Sequence, residues 1–95
     1  MPKAYLVAHI RVHDDEEFER FKALSAHAIS EHGGRVLARQ PNPDNREGNL
    51  RGLTVLIEFD NMAAAGKFYD SDAYTAARAV REVSAETDLM LVEGI

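Results

Sequence analysis

The chain has 95 residues, a net charge of −5 and no cysteine. This length fits a single domain, residues 1–95, whose core is modest, because so short a chain buries only roughly 60–65% of its unfolded surface. The lack of cysteine excludes disulfides and thiolate metal sites. The lack of any basic run argues against nucleic acid and anionic membranes as partners. No apolar leader or membrane-spanning stretch is present, so we expect a cytoplasmic protein.

The first two predicted elements are a strand and a helix. Residues 5–12 alternate, with one wholly apolar face and one mixed face, which is typical of a strand with one side in a core. Asp14 or Asp15 then caps a helix. Its apolar stripe recurs at three and four residues through Phe18, Phe21, Leu24, Ala28 and Ile29. Gly33 and Gly34 end this helix.

Two further strands follow, separated by a polar loop. Residues 35–40 form the second strand, for which strict alternation places Val36 and Ala38 on one face and Arg39 on the other. Residues 41–52 form a turn-rich loop that we expect to be mobile and able to cover an opening as a lid. Residues 53–59 give the clearest strand, in which every second residue is apolar.

The last third of the chain predicts a second helical region and a fourth strand. Helical sequence begins at Asn61 and is interrupted at residues 70–72, where Ser71 or Asp72 caps a new helix over residues 73–85. Residues 89–93 form the fourth strand. The order β-α-β-β-α-β predicts an α+β fold of the ferredoxin-like type, a four-stranded antiparallel sheet with its helices on one face.

The sheet face without helices mixes apolar and charged side chains. Such a face is too apolar to be fully solvated and too polar to be a plain core. A second copy of the chain, packed sheet against sheet, would cover it. We therefore predict a homodimer.

Five segments together resemble a known family. They are Tyr-Leu-Val-Ala-His at 5–9, Gly-Gly-Arg-Val-Leu-Ala-Arg at 33–39, Val-Leu-Ile-Glu-Phe at 55–59, Phe-Tyr-Asp-Ser-Asp-Ala-Tyr at 68–74 with Arg81, and Val-Glu-Gly at 92–94. In order and spacing they resemble the domain of unknown function 1330 family, which implies the dimeric α+β barrel superfamily. This chain departs from the family pattern at Asp72-Ala73, where a Pro-Glu pair is usual, and at Leu50, where a tryptophan is common. The resemblance implies an architecture and no reaction.

The histidines do not predict a metal site. His9 and His13 are four residues apart on a strand, roughly 13 Å, which is too far for one ion. His27 and His32 face different sides of a helix. No nucleotide-binding or nucleophile motif is present either, so we predict no metal and no cofactor.

Arg39 and Glu58 are the leading candidate site residues. On strict alternation they project from the same half-buried face, with His9 nearby. One interpretation is a ligand site, in which Arg39 holds an anion, Glu58 acts as a base and His9 transfers protons. The other is a structural ion pair at the dimer interface. Tyr69 and Tyr74 flank the helix break and are further ligand-binding candidates, although such residues more often pack.

Two classes of function remain open. The protein is either a cofactor-independent enzyme, monooxygenase-like or isomerase-like, that works in the interior of the dimeric barrel, or a non-catalytic small-molecule-binding or stress-related dimer. In both cases the expected partner is a small molecule of unknown identity, with an anion as one option. Whether the protein is an enzyme stays open at this stage.

Overall fold

The computed structural model describes residues 1–95 and contains four strands and three helices. In chain order these are β1 (Ala4–Val12), α1 (Asp15–Glu31), β2 (Arg35–Gln40), β3 (Leu53–Phe59), α2 (Met62–Asp70), α3 (Asp72–Ser84) and β4 (Ala85–Glu93). The strands form one antiparallel sheet in the order β2-β3-β1-β4. This is the ferredoxin-like α+β fold, as predicted, and its second helical connection is divided into α2 and α3.

The helix ends follow the predicted signals. The Asp14 carboxylate accepts a hydrogen bond from the Glu17 amide at 3.1 Å and caps α1. Gly33, with φ +70°, follows the end of that helix. Asn61 caps α2, and the Ser71 hydroxyl accepts from the Tyr74 amide to cap α3. The break between α2 and α3 therefore lies at Ser71, whose side chain starts the new helix.

The boundary between α3 and β4 differs from the prediction. We expected a helix over residues 73–85 and a strand over 89–93, whereas β4 begins at Ala85, directly after α3. The additional strand residues include Glu86 and Asp88. Because these residues are charged, this part of β4 lacks the run of apolar residues by which residues 89–93 were predicted as a strand. Charged residues are common on edge strands, where they discourage pairing with other chains. Here Asp88 accepts a hydrogen bond from Arg11 on the neighbouring strand at 3.0 Å.

The core lies between the sheet and the helices. Every second residue of β1 from Ala4 to Ile10 is buried there, and so are Val55, Ile57 and Phe59 of β3. The helices contribute aromatic rings, with Phe68 stacked between Phe59 and Tyr74 at centroid distances of 5.0 and 4.5 Å. Burial of these side chains from both layers supplies most of the stability of so small a domain.

An irregularity in β2 changes which face its residues occupy. Arg35 pairs with Glu58 and Val36 with Ile57, but the next pairs are Ala38 with Leu56 and Arg39 with Val55. The register thus shifts by one residue at Leu37, and an extra residue in one strand reverses the alternation beyond it. The predicted faces of Ala38 and Arg39 are therefore wrong. Arg39 lies on the helix side of the sheet.

The connection between β2 and β3 contains no helix or strand, and residues 41–51 are all exposed. Its mobility and its role as a lid stay predictions. Its last residue is fixed by close packing, because Gly52 has φ +95° and an added Cβ would lie 2.2 Å from the Ile10 carbonyl oxygen. No helix in the structure has both the length and the apolar character needed to cross a bilayer.

Candidate functional site: a cleft between the sheet and the helices

The structure separates the two leading candidates. Glu58 lies on the open sheet face, which carries no helices, whereas Arg39 lies on the helix side opposite Val55. The expectation that they project from one face is wrong, because the shift at Leu37 reverses Arg39. Glu58 pairs instead with Arg35, which stands directly opposite it on β2.

Arg35 is the centre of a polar network on the open face. Its Nε donates to Glu58 Oε1 at 2.9 Å and its Nη2 to Asp60 Oδ1 at 3.1 Å. Tyr5 donates to Glu58 at 3.3 Å, and Lys3 to Asp60 at 3.4 Å. The hydrogen bond from Arg35 lowers the pKa of Glu58, and those from Lys3 and Arg35 lower that of Asp60. Both carboxylates are thus stabilised as anions, which is the property of a structural network rather than of a base.

His9 lies on the open face, as predicted, but not beside Glu58. Its Nδ1 is 3.2 Å from Thr54 Oγ1, and its partner on β4 is Asp88. Glu58 faces Tyr5, four residues earlier on β1, and four strand residues span roughly 13 Å. The two side chains are therefore too far apart to share a proton with one substrate.

The middle of the open face is an apolar row that crosses all four strands. Strand pairing aligns Ala38 with Leu56, Leu56 with Val7 and Val7 with Met90. Met90 is 54% exposed, although it is a large apolar residue. The row is flanked on one side by the Arg35 network and on the other by His9 and Thr54. This is the pattern of a surface with an apolar centre and a polar rim.

The concave site of the molecule lies on the other side of the sheet. It is a cleft between the sheet and the helices α1 and α3, with a volume of about 470 Å³ that includes its opening to solvent. The space inside it that is free for water is small and holds only a few water molecules. Its apolar lining comprises Leu6, Ala8, Ile10, Phe18, Phe21, Ile29, Leu53, Val55, Ile57 and Leu89, with Tyr74 at the α3 side.

Four polar side chains join this apolar lining. Ser25 and Arg81 are buried, with Arg81 only 5% exposed, whereas Lys22 is half-buried and Arg39 is exposed. The burial of Arg81 and the exposure of Arg39 place the first at the inner part of the cleft and the second at its opening. Arg39 was predicted as an anion-holding residue, and the structure brings it to this cleft.

Arg81 and Tyr74 form the polar contact at the inner part of the cleft. Arg81 Nη1 donates a hydrogen bond to the Tyr74 hydroxyl. The guanidinium also lies over the rings of Phe21 and Tyr74, at 5.6 and 5.8 Å from their centroids. Burial raises the pKa of Tyr74, although the charge of Arg81 opposes this. Tyr74 is therefore a neutral phenol at neutral pH.

Tyr69 lies next to Tyr74 but does not take part in the contact between Arg81 and Tyr74. Its hydroxyl accepts a hydrogen bond from Arg78 Nη1 at 2.8 Å, and its ring centroid is 5.5 Å from that of Tyr74. It is absent from the lining of the cleft and borders a shallow hollow formed with residues 89–91 of β4. Of the five predicted ligand-binding residues, the cleft therefore brings together Arg39 and Tyr74 alone.

Three residues that line the cleft were not predicted as site residues: Arg81, Lys22 and Ser25. A usable signal existed for Arg81, because Tyr74, Ala77 and Arg81 recur at three and four residues on α3 and all are buried. A charged residue within an apolar stripe is unusual and often has a functional role. The positions of Lys22 and Ser25 depend on how α1 packs on the sheet. No group of three or more histidine or acidic side chains is arranged to hold a metal ion.

Almost the whole chain matches one known protein family. Residues 3–95 match the model of the domain of unknown function family DUF1330. The chain belongs to this family. No curated protein matches it.

Several solved structures share the fold of this DUF1330 protein at low sequence identity. A protein of unknown function from Rhodopseudomonas palustris is 15% identical, with a TM-score of 0.77 over 99% of this chain and 83% of that one. SnoaB from Streptomyces nogalater, described as a cofactor-independent oxygenase, is 15% identical, with a TM-score of 0.69 over 100% and 95%. A Bacteroides fragilis protein described as dimeric and ferredoxin-like is 14% identical, with a TM-score of 0.58 over 97% and 96%. At these identities the likeness shows the fold alone.

Proposed function

We propose that this DUF1330 protein binds a small organic molecule in the cleft between its sheet and helices α1 and α3. The observation that carries the proposal is the combination of an apolar lining with buried polar groups, above all Arg81 and Tyr74. Ligand sites in proteins are typically apolar clefts in which a few polar groups fix the orientation of the ligand. Arg39 and Tyr74 keep their predicted role as ligand-binding residues, one at the opening and one inside.

The open sheet face has a different role in this proposal. Two copies of the chain pack through it, so that the apolar row of Ala38, Leu56, Val7 and Met90 is buried in a homodimer. The alignment of this row across the sheet supports the pairing, and so does the dimeric description of the Bacteroides fragilis protein. Glu58 and His9 then belong to the interface rather than to the ligand site. Cytoplasmic location stays a prediction.

Catalysis in the same cleft is the second candidate function. It is favoured by the shared fold of SnoaB, described as a cofactor-independent oxygenase. A further neighbour, from Caulobacter crescentus, is described as a putative antibiotic biosynthesis monooxygenase and has a TM-score of 0.70 at 17% identity. Measurement of dioxygen consumption with each molecule found to bind tests the oxygenase form of this candidate, because an oxygenase consumes dioxygen with its substrate and a binding protein does not.

Amide NMR shifts test the binding proposal with defined probes. The probes are three small carboxylates (benzoate, cyclohexanecarboxylate and 3-methylbutanoate) and their neutral primary amides, each at millimolar concentration. We expect at least one probe to shift amides of cleft residues such as Leu53 and Val55. Ser25→Leu, which adds bulk to the cleft lining, should weaken binding. Ser30→Leu is the matched control, because Ser30 is exposed on the same helix. The proposal is overturned if no probe shifts a cleft amide, or if Ser25→Leu binds the probes as the wild type does.

A further inference from the structure

Arg81 is a buried cation that has no acidic partner. None of the ion pairs in the structure includes it, and its one side-chain hydrogen bond goes to Tyr74. Nε is buried and has no acceptor. A guanidinium has five N–H donors and stays charged, so a buried one normally pairs with a carboxylate. Nη2, the neighbouring nitrogen on the edge that usually meets a carboxylate, donates no hydrogen bond to another group of the protein.

The charge of the whole cleft is also unusual for this chain. The protein has a net charge of −5, yet the charged residues that line the cleft are Lys22, Arg39 and Arg81, and no acidic residue lines it. Lys22 has a partner, since its Nζ lies 2.8 Å from Glu19 Oε1. Arg39 has no ion pair, like Arg81. A cleft of one sign attracts ligands of the other sign.

We infer that the molecule bound in the cleft is a small organic anion, whose carboxylate accepts hydrogen bonds from Arg81. The inference rests on the proposed function and adds the chemical class of the ligand. The apolar part of the ligand lies against Phe21, Leu53 and Val55, which line the same cleft. Arg39, exposed at the opening, attracts the anion without being its final partner. The small free space of the cleft favours a compact monocarboxylate over a phosphate ester with a large organic part.

A purely structural role for Arg81 is the competing explanation. Arg81 lies in the last turn of α3, where the helix dipole favours a cation. The rings of Phe21 and Tyr74 also stabilise its charge. This explanation gives Arg81 a part in stability, but it predicts no preference of the cleft for charged over neutral ligands. The two explanations therefore differ in ligand selectivity.

The test compares each of the three carboxylates with its own amide, which has nearly the same shape and no charge. With the full-length wild-type chain at neutral pH and low salt, we expect each carboxylate to bind at least about tenfold more tightly than its amide, as a charge-assisted pair predicts. Arg81→Met should abolish this preference. Arg78→Met is the matched control, because Arg78 lies on the same helix as Arg81 but contacts Tyr69 of α2 and does not line the cleft.

Each outcome decides one of the two proposals. If the amides bind in the cleft as tightly as the carboxylates, the inference about Arg81 fails while the proposed function stands. If no probe of either series binds, the proposed function fails and the inference fails with it. If Arg81→Met does not fold, the comparison of carboxylate and amide binding by the wild type still tests the inference. Arg81→Lys then replaces Arg81→Met as the variant. Lysine keeps the charge but loses the planar pair of donors, so we expect a reduced preference. An unchanged preference in a folded Arg81→Met protein overturns the inference.

Discussion

Arg35, and not Arg39, is the partner of Glu58: its Nε lies 2.9 Å from Glu58 Oε1 across the pair of strands β2 and β3. This pair belongs to the part of the β2–β3 ladder that precedes the register shift at Leu37, so both side chains lie on the open face of the sheet. The shift then turns Arg39 toward the helices, where it lies at the opening of the cleft. One extra residue in a short strand therefore separates a structural ion pair from a candidate ligand-binding residue.

The Arg35 pair predicts a response of stability to acid. The hydrogen bond from Arg35 holds the pKa of Glu58 below its ordinary value of 4.5 in the folded state. The folded state thus binds this proton less readily than the unfolded state. The contribution to stability is complete above pH 4.5 and is lost as the pH falls through the lower, folded-state pKa. Glu58→Gln should flatten the fall in the free energy of unfolding over this acidic range.

Denaturant unfolding at a series of pH values measures this effect. Glu47→Gln is the control, because Glu47 is exposed in the loop and has no ion pair. It should leave the pH dependence of stability as in the wild type. An identical pH dependence in Glu58→Gln and the wild type would show that the pair contributes nothing.

The end of the loop at Gly52 predicts a large effect of a small substitution. Gly48→Ala should cost on the order of 1–2 kcal/mol, because its positive φ strains any side chain while nothing lies near the new methyl group. Gly52→Ala should cost clearly more, since its Cβ would also collide with the Ile10 carbonyl oxygen. Chemical denaturation of both variants gives the comparison. Equal losses would mean that Gly52 has room that the structure does not show.

The apolar row on the open face predicts how a dimer would be disrupted. Leu56→Glu places a charge in the middle of this row. If the row is buried between two copies, the dissociation constant should rise by about 100-fold or more, because an unpaired charge in an interface is costly. Val83→Glu is the control, since Val83 is an apolar residue of α3 that is 65% exposed. Sedimentation at micromolar concentration measures both. A wild-type monomer, or a Leu56→Glu dimer as strong as the control, contradicts the predicted homodimer.

The sequence determined the fold much better than the site. The strict alternation in β1 and β3 defined the core face, and Asp14, Asn61 and Ser71 marked the helix starts, because these signals are local. The register shift in β2 is not local. Whether Leu37 is an extra residue depends on how β2 pairs with β3, and the sequence of β2 is compatible with both alternations. Since Arg39 follows Leu37, its side of the sheet could not be derived.

The cleft could be predicted only in part, because its formation, like the register shift in β2, depends on contacts between segments that are distant in the sequence. Its lining comes from four strands and two helices, so it depends on the packing of the layers. Arg81 is the exception, because its position in the apolar stripe of α3 is visible in the sequence. A cation in such a stripe calls for a buried partner, and the chain itself provides no carboxylate for it.

The location of the bound probe tests the central claim most directly. Intermolecular nuclear Overhauser effects between cyclohexanecarboxylate and the methyl groups of the protein distinguish the two sides of the sheet. We expect contacts to Leu53, Val55 and Ile57, which line the cleft. Contacts to Val7 and Leu56 on the open face, with none to the cleft methyl groups, would contradict the claim that this DUF1330 protein binds its ligand between the sheet and the helices.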